Sequence, residues 1–189
     1  MQHYQHNIKL HNACRALKRG EVIAYPTEAV WGLGCDPYDE IALWEILRLK
    51  QRPYDKGVIL VAATMEQLHP FLLGLSEEQL ATLANSWPGP NTWIIPHNGH
   101  CPQWIRGSHN SLAVRVSAHP VVQALCEQFG GPIVSTSANP AGLPPARDQL
   151  QARRYFRHQP LSYAPGNVGK ERQPTQICHL LTGQVLRSA

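Results

Sequence analysis

The spacing of apolar residues alternates between a helical period and short β-rich runs, which predicts an α/β fold. Residues 12–19 predict a helix with Asn12 as N-cap and Gly20 as its stop. EVIAYP (21–26) predicts a strand ended by Pro26. DPYDEIALWEILRLK (36–50) predicts a helix capped by Asp36, with Pro37 in the first position and Asp39 and Glu40 in the first turn. Its apolar stripe is read from Ile41, Trp44 and Leu47. GVILVAA (57–63) is a continuous apolar run, as expected of a strand covered on both faces. Two capping boxes follow, Thr64 with Gln67 and Ser76 with Gln79. WPGP is a turn; NTWIIP (91–96), SLAVRVS (111–117) and PIVSTSAN (132–139) predict strands, and HPVVQALCEQFGG (119–131) a helix closed by glycines. From about Asn139 the chain is rich in Pro, Gly and Arg, with one short basic helix near 148–157 and a last strand, GQVLRS. No repeat, low-complexity tract or dividing linker appears, so one domain is expected.

Three polar clusters do not fit a core. In SLAVRVS, Leu112, Val114 and Val116 share one face; Ser111, Ala113, Arg115 and Ser117 share the other. An arginine within an apolar strand needs a partner, because an unpaired buried charge costs several kcal/mol. A carboxylate of the protein would serve, and so would a carboxylate or phosphate of a ligand. In PIVSTSAN the apolar pair Ile133–Val134 gives way to small residues, with Ser135, Ser137 and Asn139 on one face. Hydroxyls at a strand's C-terminal end suit a ligand crevice; a polar strand exit with Asn139 opening a turn before Pro140 explains them equally. In AYPTEAVWGLGCD, Thr27 and Glu28 stand at a strand exit, and Gly32 and Gly34 permit close backbone approach.

Charge adds a fourth cluster. Net charge is +4, but residues 1–100 hold eight Lys/Arg against ten Asp/Glu, and residues 101–189 hold nine against three. A basic half of this kind meets phosphate in nucleotides or nucleic acids, or is a soluble basic surface. In LRLKQRPYDKG, Arg48, Lys50, Arg52 and Lys56 lie within nine residues beside one carboxylate, Asp55. Cations at a helix C-terminus meet the negative end of its dipole; the sharper alternative is an anion site.

The composition, 43% hydrophobic and 16% charged, is that of an ordinary globular chain. There is no apolar run long enough to span a membrane and no secretory h-region, so the cytoplasm is expected. Five scattered cysteines without a CxxC argue for reduced thiols. HNGHC (97–101), with His109 nearby, invites a zinc reading, but the spacing matches no structural zinc pattern and a solvated loop is preferred. A Walker P-loop, a dinucleotide-binding G-x-G-x-x-G, a G-x-S-x-G elbow and H-E-x-x-H are all absent, so any nucleotide site is of another design.

YPTEAVWGLGCD, LKQRPYDKG, WPGPNTW, SLAVRVSAHP, STSAN and LTGQVLR occur in the order and spacing of the YrdC family, and the pairing of Lys50-x-Arg52 with Ser137-x-Asn139 is that family's signature. The chain resembles the short, single-domain bacterial members over almost its whole length, about residue 8 to the end. The resemblance implies a single YrdC-like α/β domain over 8–189, a twisted mixed β-sheet with flanking helices around a basic concave cavity. It also implies a nucleotidyltransferase that joins L-threonine, bicarbonate and ATP into L-threonylcarbamoyladenylate and releases pyrophosphate. Other threonylcarbamoyl-transfer proteins then carry the group to adenosine 37 of tRNAs reading codons that begin with A. ATP is a substrate, Mg²⁺ is expected with it, and a monomer is expected.

By position, the resemblance implies that Lys50 and Arg52 hold the ATP phosphates and act as the catalytic cations, with Lys56 assisting. Ser111, Ser137, Asn139 and Arg187 complete the nucleotide site; Thr27, Arg115, Ser135 and Thr175 hold threonine. No metal ligand and no covalent nucleophile is implied. Two departures from the family stand out. In PTQICH, Thr175 replaces a serine and His179 an aspartate, and LRSA lacks the usual Pro-Gly. Two other readings remain: a non-catalytic module for double-stranded RNA or tRNA, resting on Arg153, Arg154 and Arg157, and a carbamoyl-transfer module, which the short chain disfavours.

Overall fold

The computed structural model describes residue 4, residues 7–171, residue 173 and residues 175–188. Pro174 and Ala189, which belong to the PTQICH and LRSA readings, lie outside these described residues. Nine strands form one mixed sheet in the order β7-β1-β2-β6-β3-β5-β4-β8-β9. They are β1 (Ile23–Pro26), β2 (Trp31–Gly34), β3 (Ile59–Ala62), β4 (Asn91–Pro96), β5 (Ser111–Val116), β6 (Ile133–Ser137), β7 (Ser162–Tyr163), β8 (Gln176–His179) and β9 (Val185–Arg187). The pairs β1–β7, β3–β5 and β4–β8 are parallel and the others antiparallel. Among the described residues seven α-helices accompany them: α1 (Ile8–Lys18), α2 (Glu40–Lys50), α3 (Met65–Leu72), α4 (Glu77–Ser86), α5 (Gln103–Arg106), α6 (Pro120–Phe129) and α7 (Gln149–Tyr155).

The two faces of the sheet are closed differently. Leu33, Leu60, Val114 and Val134 point into the larger core, with Leu43, Ile46 and Leu68 from α2 and α3. On the opposite face Ile23, Tyr25, Val61 and Ile133 pack under α1 and α6, through Leu10, Leu17, Val121 and Leu125. This second core covers only part of that face. Farther along β6 stand Ser135 and Ser137, and on β5, β4 and β8 stand Ser111, Ala113, Ile94 and Ile177; these line a cavity instead. The alternation read from β5 is present: Leu112, Val114 and Val116 are buried in the larger core, while Ser111, Ala113 and Arg115 face the cavity.

Several local expectations need correction. Helix α1 begins earlier than Asn12, because Asn7 caps it by accepting from the backbone N–H groups of Lys9 and Leu10. Helix α2 is capped by Asp39, whose Oδ1 accepts from Ala42 N at 2.9 Å; Asp36 accepts from Tyr38 N in the preceding turn. Ile41 and Trp44 are exposed, at 82% and 48%, and the buried stripe is Ala42, Leu43, Ile46, Leu47 and Leu49. Trp44 stacks on Tyr54, so its helical spacing reflects a surface pair and not the core. The Ser76–Gln79 box forms, whereas Thr64 caps nothing with its side chain. Gln67 accepts from Ala63 N and donates to Cys126 O, which ties α3 to α6. Strands β2, β7 and β8, which the apolar pattern missed, are four, two and four residues long. All five cysteines are buried and unpaired by disulfides.

Two loops that reach the cavity interlock through backbone. Val58 N donates to Ile105 O at 2.8 Å and Ser108 N to Asp55 O at 3.2 Å. Gly107 has φ +61°, and a Cβ there would come 2.5 Å from Asp55 O. Gly107→Ala therefore combines left-handed strain with a backbone clash and should lower stability by at least about 2 kcal/mol. Gly74, at φ +88° with open space around it, supplies the control: Gly74→Ala should cost about 1 kcal/mol from strain alone. Urea midpoints of the two variants check the difference.

Candidate active site

The cavity encloses about 310 Å³ on the uncovered part of the sheet. That volume is at the lower end for a small-molecule site. Its floor is formed by the hydroxyl and small residues of β5 and β6. One wall is the β1–β2 turn, with Thr27, Ala29 and Val30, and another the interlocked loops, with Arg52, Lys56, Gly57, Arg106 and His109. Thr175, Ile177 and Arg187 from the β8–β9 hairpin close the far side. Five cationic side chains belong to this lining, and no carboxylate does among the described residues.

The dense cation segment divides by position. Arg48 forms a surface pair with Glu45 at 2.6 Å and also donates to Gln159, so the helix-terminus reading fits it. Helix α2 then ends at Gln51, held in the left-handed conformation at φ 50°. This turn sends Lys50 and Arg52 to different places. Lys50 is 5% exposed and lies behind the cavity wall. Its Nζ donates to the carbonyl of Ser137 and, at 2.9 Å, to the carbonyl of Asn139; Ser137 Oγ and Asn139 Oδ1 lie at 3.4 and 3.3 Å. Burial, reinforced by the charge of Arg52, pushes the Lys50 ammonium down to about 8. Arg52 lines the cavity and is steadied by the carbonyl of Gly57 at 3.0 Å.

Asn139 does not line the cavity. Its Oδ1 accepts from Ser137 Oγ at 2.6 Å, and its Nδ2 donates to the carbonyl of Leu143 at 2.7 Å. It shapes the exit of β6 and orients the Ser137 hydroxyl. The other nucleotide-site candidates, Arg52, Ser111, Ser137 and Arg187, do line the cavity, as do Thr27, Arg115, Ser135 and Thr175. Thr27 Oγ1 donates to Val30 O at 2.8 Å. Thr175 Oγ1 lies 3.3 Å from that of buried Thr92, and the Thr175 carbonyl accepts from Arg187 Nη2 at 2.7 Å. His179 ends β8 and accepts from Gly183 N to close the hairpin, outside the cavity lining.

Arg115 finds a partner within the protein. Its Nη2 lies 3.4 Å from Glu28 Oε2, with both side chains more than 90% buried. Glu28 Oε1 accepts from Ser117 Oγ at 2.6 Å and Ala118 N at 3.2 Å. Burial alone would raise the Glu28 carboxyl, but Arg115 and the Ser117 hydroxyl outweigh it and hold the group below its ordinary value. Arg115 Nε and Glu28 Oε2 have no hydrogen-bond partner among the described residues. The sequence reading placed Glu28 at a strand exit but gave it no role. The available signal was a carboxylate and an arginine, each isolated among apolar residues. Arg106 and His109 were also missed as cavity residues, because only the loop interlock brings them beside Gly57. The basic α7 is partly spent inside the molecule, since Arg153 lies over the Tyr163 ring at 4.0 Å.

Comparison with known proteins agrees with this arrangement. The model of the Sua5/YciO/YrdC family, described as "Telomere recombination", matches residues 15–189. A threonylcarbamoyl-AMP synthase of Cellvibrio japonicus is 52% identical over 181 residues, 96% of this chain and 96% of the relative. One of Saccharophagus degradans is 56% identical over 180 residues, 95% and 94% of the two chains. The structure of P. abyssi Sua5 complexed with L-threonine has a TM-score of 0.87 and 29% identity; the match covers 94% of this chain and 53% of that one. This chain thus spans about half the length of that Sua5 protein. Since the matched residues take in every strand and every cavity side chain described above, the chain belongs to the Sua5/YciO/YrdC family.

Proposed function

We propose that the chain is an L-threonylcarbamoyladenylate synthase, a nucleotidyltransferase that joins L-threonine, bicarbonate and ATP and releases pyrophosphate. The observation that carries this reading is one chamber with two unlike ends. Arg115, backed by Glu28, suits a carboxylate; Arg52 and Lys56, on the interlocked loops, suit phosphates. Curated relatives of that name at 52% and 56% identity, and a threonine complex of a Sua5 relative, support it over a non-catalytic RNA module. The product would serve threonylcarbamoyl transfer to adenosine 37 of tRNAs reading codons that begin with A, by other proteins in the cytoplasm. None of the helices searched among the described residues is long and apolar enough to cross a membrane.

In this mechanism the threonine amine attacks bicarbonate, with loss of water, or CO₂, with loss of a proton to solvent, to give a carbamate. A carbamate oxygen attacks the α-phosphorus of ATP, and pyrophosphate leaves. Positioning and charge neutralisation carry such a step, without a protein nucleophile. Arg115 holds the threonine carboxylate, with Thr27, Ser135 and Thr175 supplying hydroxyls around the rest of the amino acid. Arg52, with Lys56, takes the negative charge that develops on the departing pyrophosphate. Ser111, Ser137 and Arg187 contact the nucleotide between the two ends. Lys50 and Asn139 act on the phosphates through Ser137, whose hydroxyl and carbonyl they fix. A Mg²⁺ held by the protein does not fit this lining, which offers hydroxyls and cations but no carboxylate among the described residues. The ion belongs to ATP as its counter-ion.

Two measurements check this reading. With labelled bicarbonate, ATP and L-threonine, wild type should form a labelled adenylate and pyrophosphate only when threonine is present, with a coupled trap for the labile product. Arg52→Ala should lower kcat/KM by about 100- to 1,000-fold, the loss expected for one preorganised charge contact. Threonine-independent label, or full activity in the variant, would count against it. The second measurement is pH-dependent. Because Lys50 titrates near 8 without ligand, it loses its charge as pH rises beyond that value. Bound phosphate favours the charged form, so ATP affinity should fall from pH 8 upward. Lys50→Arg should flatten this fall, as read by ATP titrations from pH 7 to 10.

A further inference from the structure

Five cations in one small chamber raise a problem of discrimination. A chamber that attracts ATP phosphates should also draw phosphate to the amino-acid end and block threonine there. The two ends differ in one buried feature. Behind Arg115 stands Glu28, 3.4 Å away, whereas the carboxylate nearest Arg52 is Asp55 on an exposed loop, screened by water.

We propose that Glu28 sets the anion selectivity of the inner end: its fixed charge behind Arg115 admits the carboxylate of an amino-acid zwitterion and turns away phosphate dianions. This deepens the proposed function and rests on its reading that Arg115 meets the threonine carboxylate. Glu28 does not reach the cavity itself, so it acts through Arg115 as a positioning and charge-setting residue.

The surroundings hold Glu28 in place. Its Oε1 is pinned by Ser117 and Ala118. Its backbone carbonyl accepts from Glu171 N, and the neighbouring Thr27 carbonyl from Gly169 N. Gly169 packs so closely that a Cβ would come 2.7 Å from Glu28 O. The carboxylate therefore cannot swing away when an anion arrives. Arg115 lines the cavity, and its buried Nε has no hydrogen-bond partner among the described residues. Arg187 is near enough for Arg115 to help depress its basicity, after the larger effect of burial. Glu28 offsets one of these two guanidiniums, so the pair, which the threonine carboxylate shares with the nucleotide, carries one net positive charge. A dianion would meet the repulsion of Glu28 twice over and bring no ammonium to offset it. Such like-charge opposition is how a site rejects a competitor while keeping its own ligand.

The test is equilibrium dialysis of labelled L-threonine against the purified full chain, with inorganic phosphate as competitor. Wild type should bind threonine and keep it at millimolar phosphate. Glu28→Gln retains an oxygen acceptor for Ser117 and Ala118 but removes the charge. In it, phosphate should displace threonine competitively, with an inhibition constant at least about tenfold lower than in wild type. Glu28→Asp should restore the wild-type behaviour. A role confined to packing would shift the thermal midpoint but leave phosphate sensitivity unchanged, and equal sensitivity in wild type and Glu28→Gln overturns the proposal. Should Glu28→Gln fail to fold, wild type still decides, because threonine displaced from it by millimolar phosphate also overturns the proposal. Failure of the underlying reading looks different: threonine binds equally well to Arg115→Gln, or not to wild type at all.

Discussion

Helices α1 and α6 cover only part of one face of a nine-stranded sheet, and the rest of the molecule is arranged around that shortfall. The covered part carries Ile23, Tyr25, Val61 and Ile133, all wholly buried. Beyond the helices β6 and the neighbouring β5 must carry residues that tolerate solvent, and there Ser111, Ala113, Ser135 and Ser137 replace the branched aliphatics. The opposite face stays apolar along β3 and β5, through Leu60, Ala62, Leu112, Val114 and Val116. Arg115 sits where cover gives way to cavity, which explains why an arginine is compatible with a central strand. Its side chain is almost wholly buried, and its Nε has no hydrogen-bond partner among the described residues.

Two buried cations are handled in opposite ways. Lys50 is surrounded by two carbonyls, a hydroxyl and an amide oxygen, so its hydrogen bonds are met while its charge is not cancelled. The depressed pKa of its ammonium reports that imbalance. A site of this type gains from an arriving anion, because the anion relieves a cost already present in the empty fold. Arg115 is instead opposed by a carboxylate and gains less from a second one. The difference separates a region suited to several negative charges from one suited to a single charge. Removing Glu28 would leave a buried guanidinium unbalanced, which is why its isosteric amide is the informative substitution.

Much of this was legible in the sequence, and the failures share a cause. Apolar runs located α6, β3, β5 and β6, since burial on a continuous surface produces them, and the Ser76–Gln79 capping box marked the start of α4. The polar intrusions on β5 and β6 marked the cavity, and eight of the ten proposed site residues line it. Lys50 and Asn139 do not: the left-handed Gln51 redirects the chain only after Lys50, whose Nζ is tied to the Ser137 and Asn139 carbonyls, and Asn139 Nδ2 turns to Leu143 O; no spacing rule reports these contacts. Ile41 and Trp44 had the right period but the wrong face, as an exposed stacked pair repeats like a core stripe. Strands β7 and β8 were missed because pairing with β1 and β4, not their own composition, makes them strands. The partnership of Glu28 with Arg115 joins residues far apart in sequence, each of which looked like an isolated exception.

The cavity wall that carries Arg52 and Lys56 depends on backbone more than on side chains. Residues 54–57 and 105–109 are held together by Val58 N to Ile105 O and Ser108 N to Asp55 O. Gly57 and Gly107, both at positive φ, let the two loops approach within a distance that a Cβ would forbid. Locking the loops through main-chain groups leaves the Lys56 and His109 side chains free to face the cavity. It also fixes Arg52, since the carbonyl that steadies its guanidinium belongs to Gly57 itself. A cation meant to stabilise charge at one moment of a reaction must be aimed before the charge appears. Here the aim comes from two glycines about fifty residues apart, which is why the cation-rich segment alone could not distinguish a helix terminus from a phosphate site.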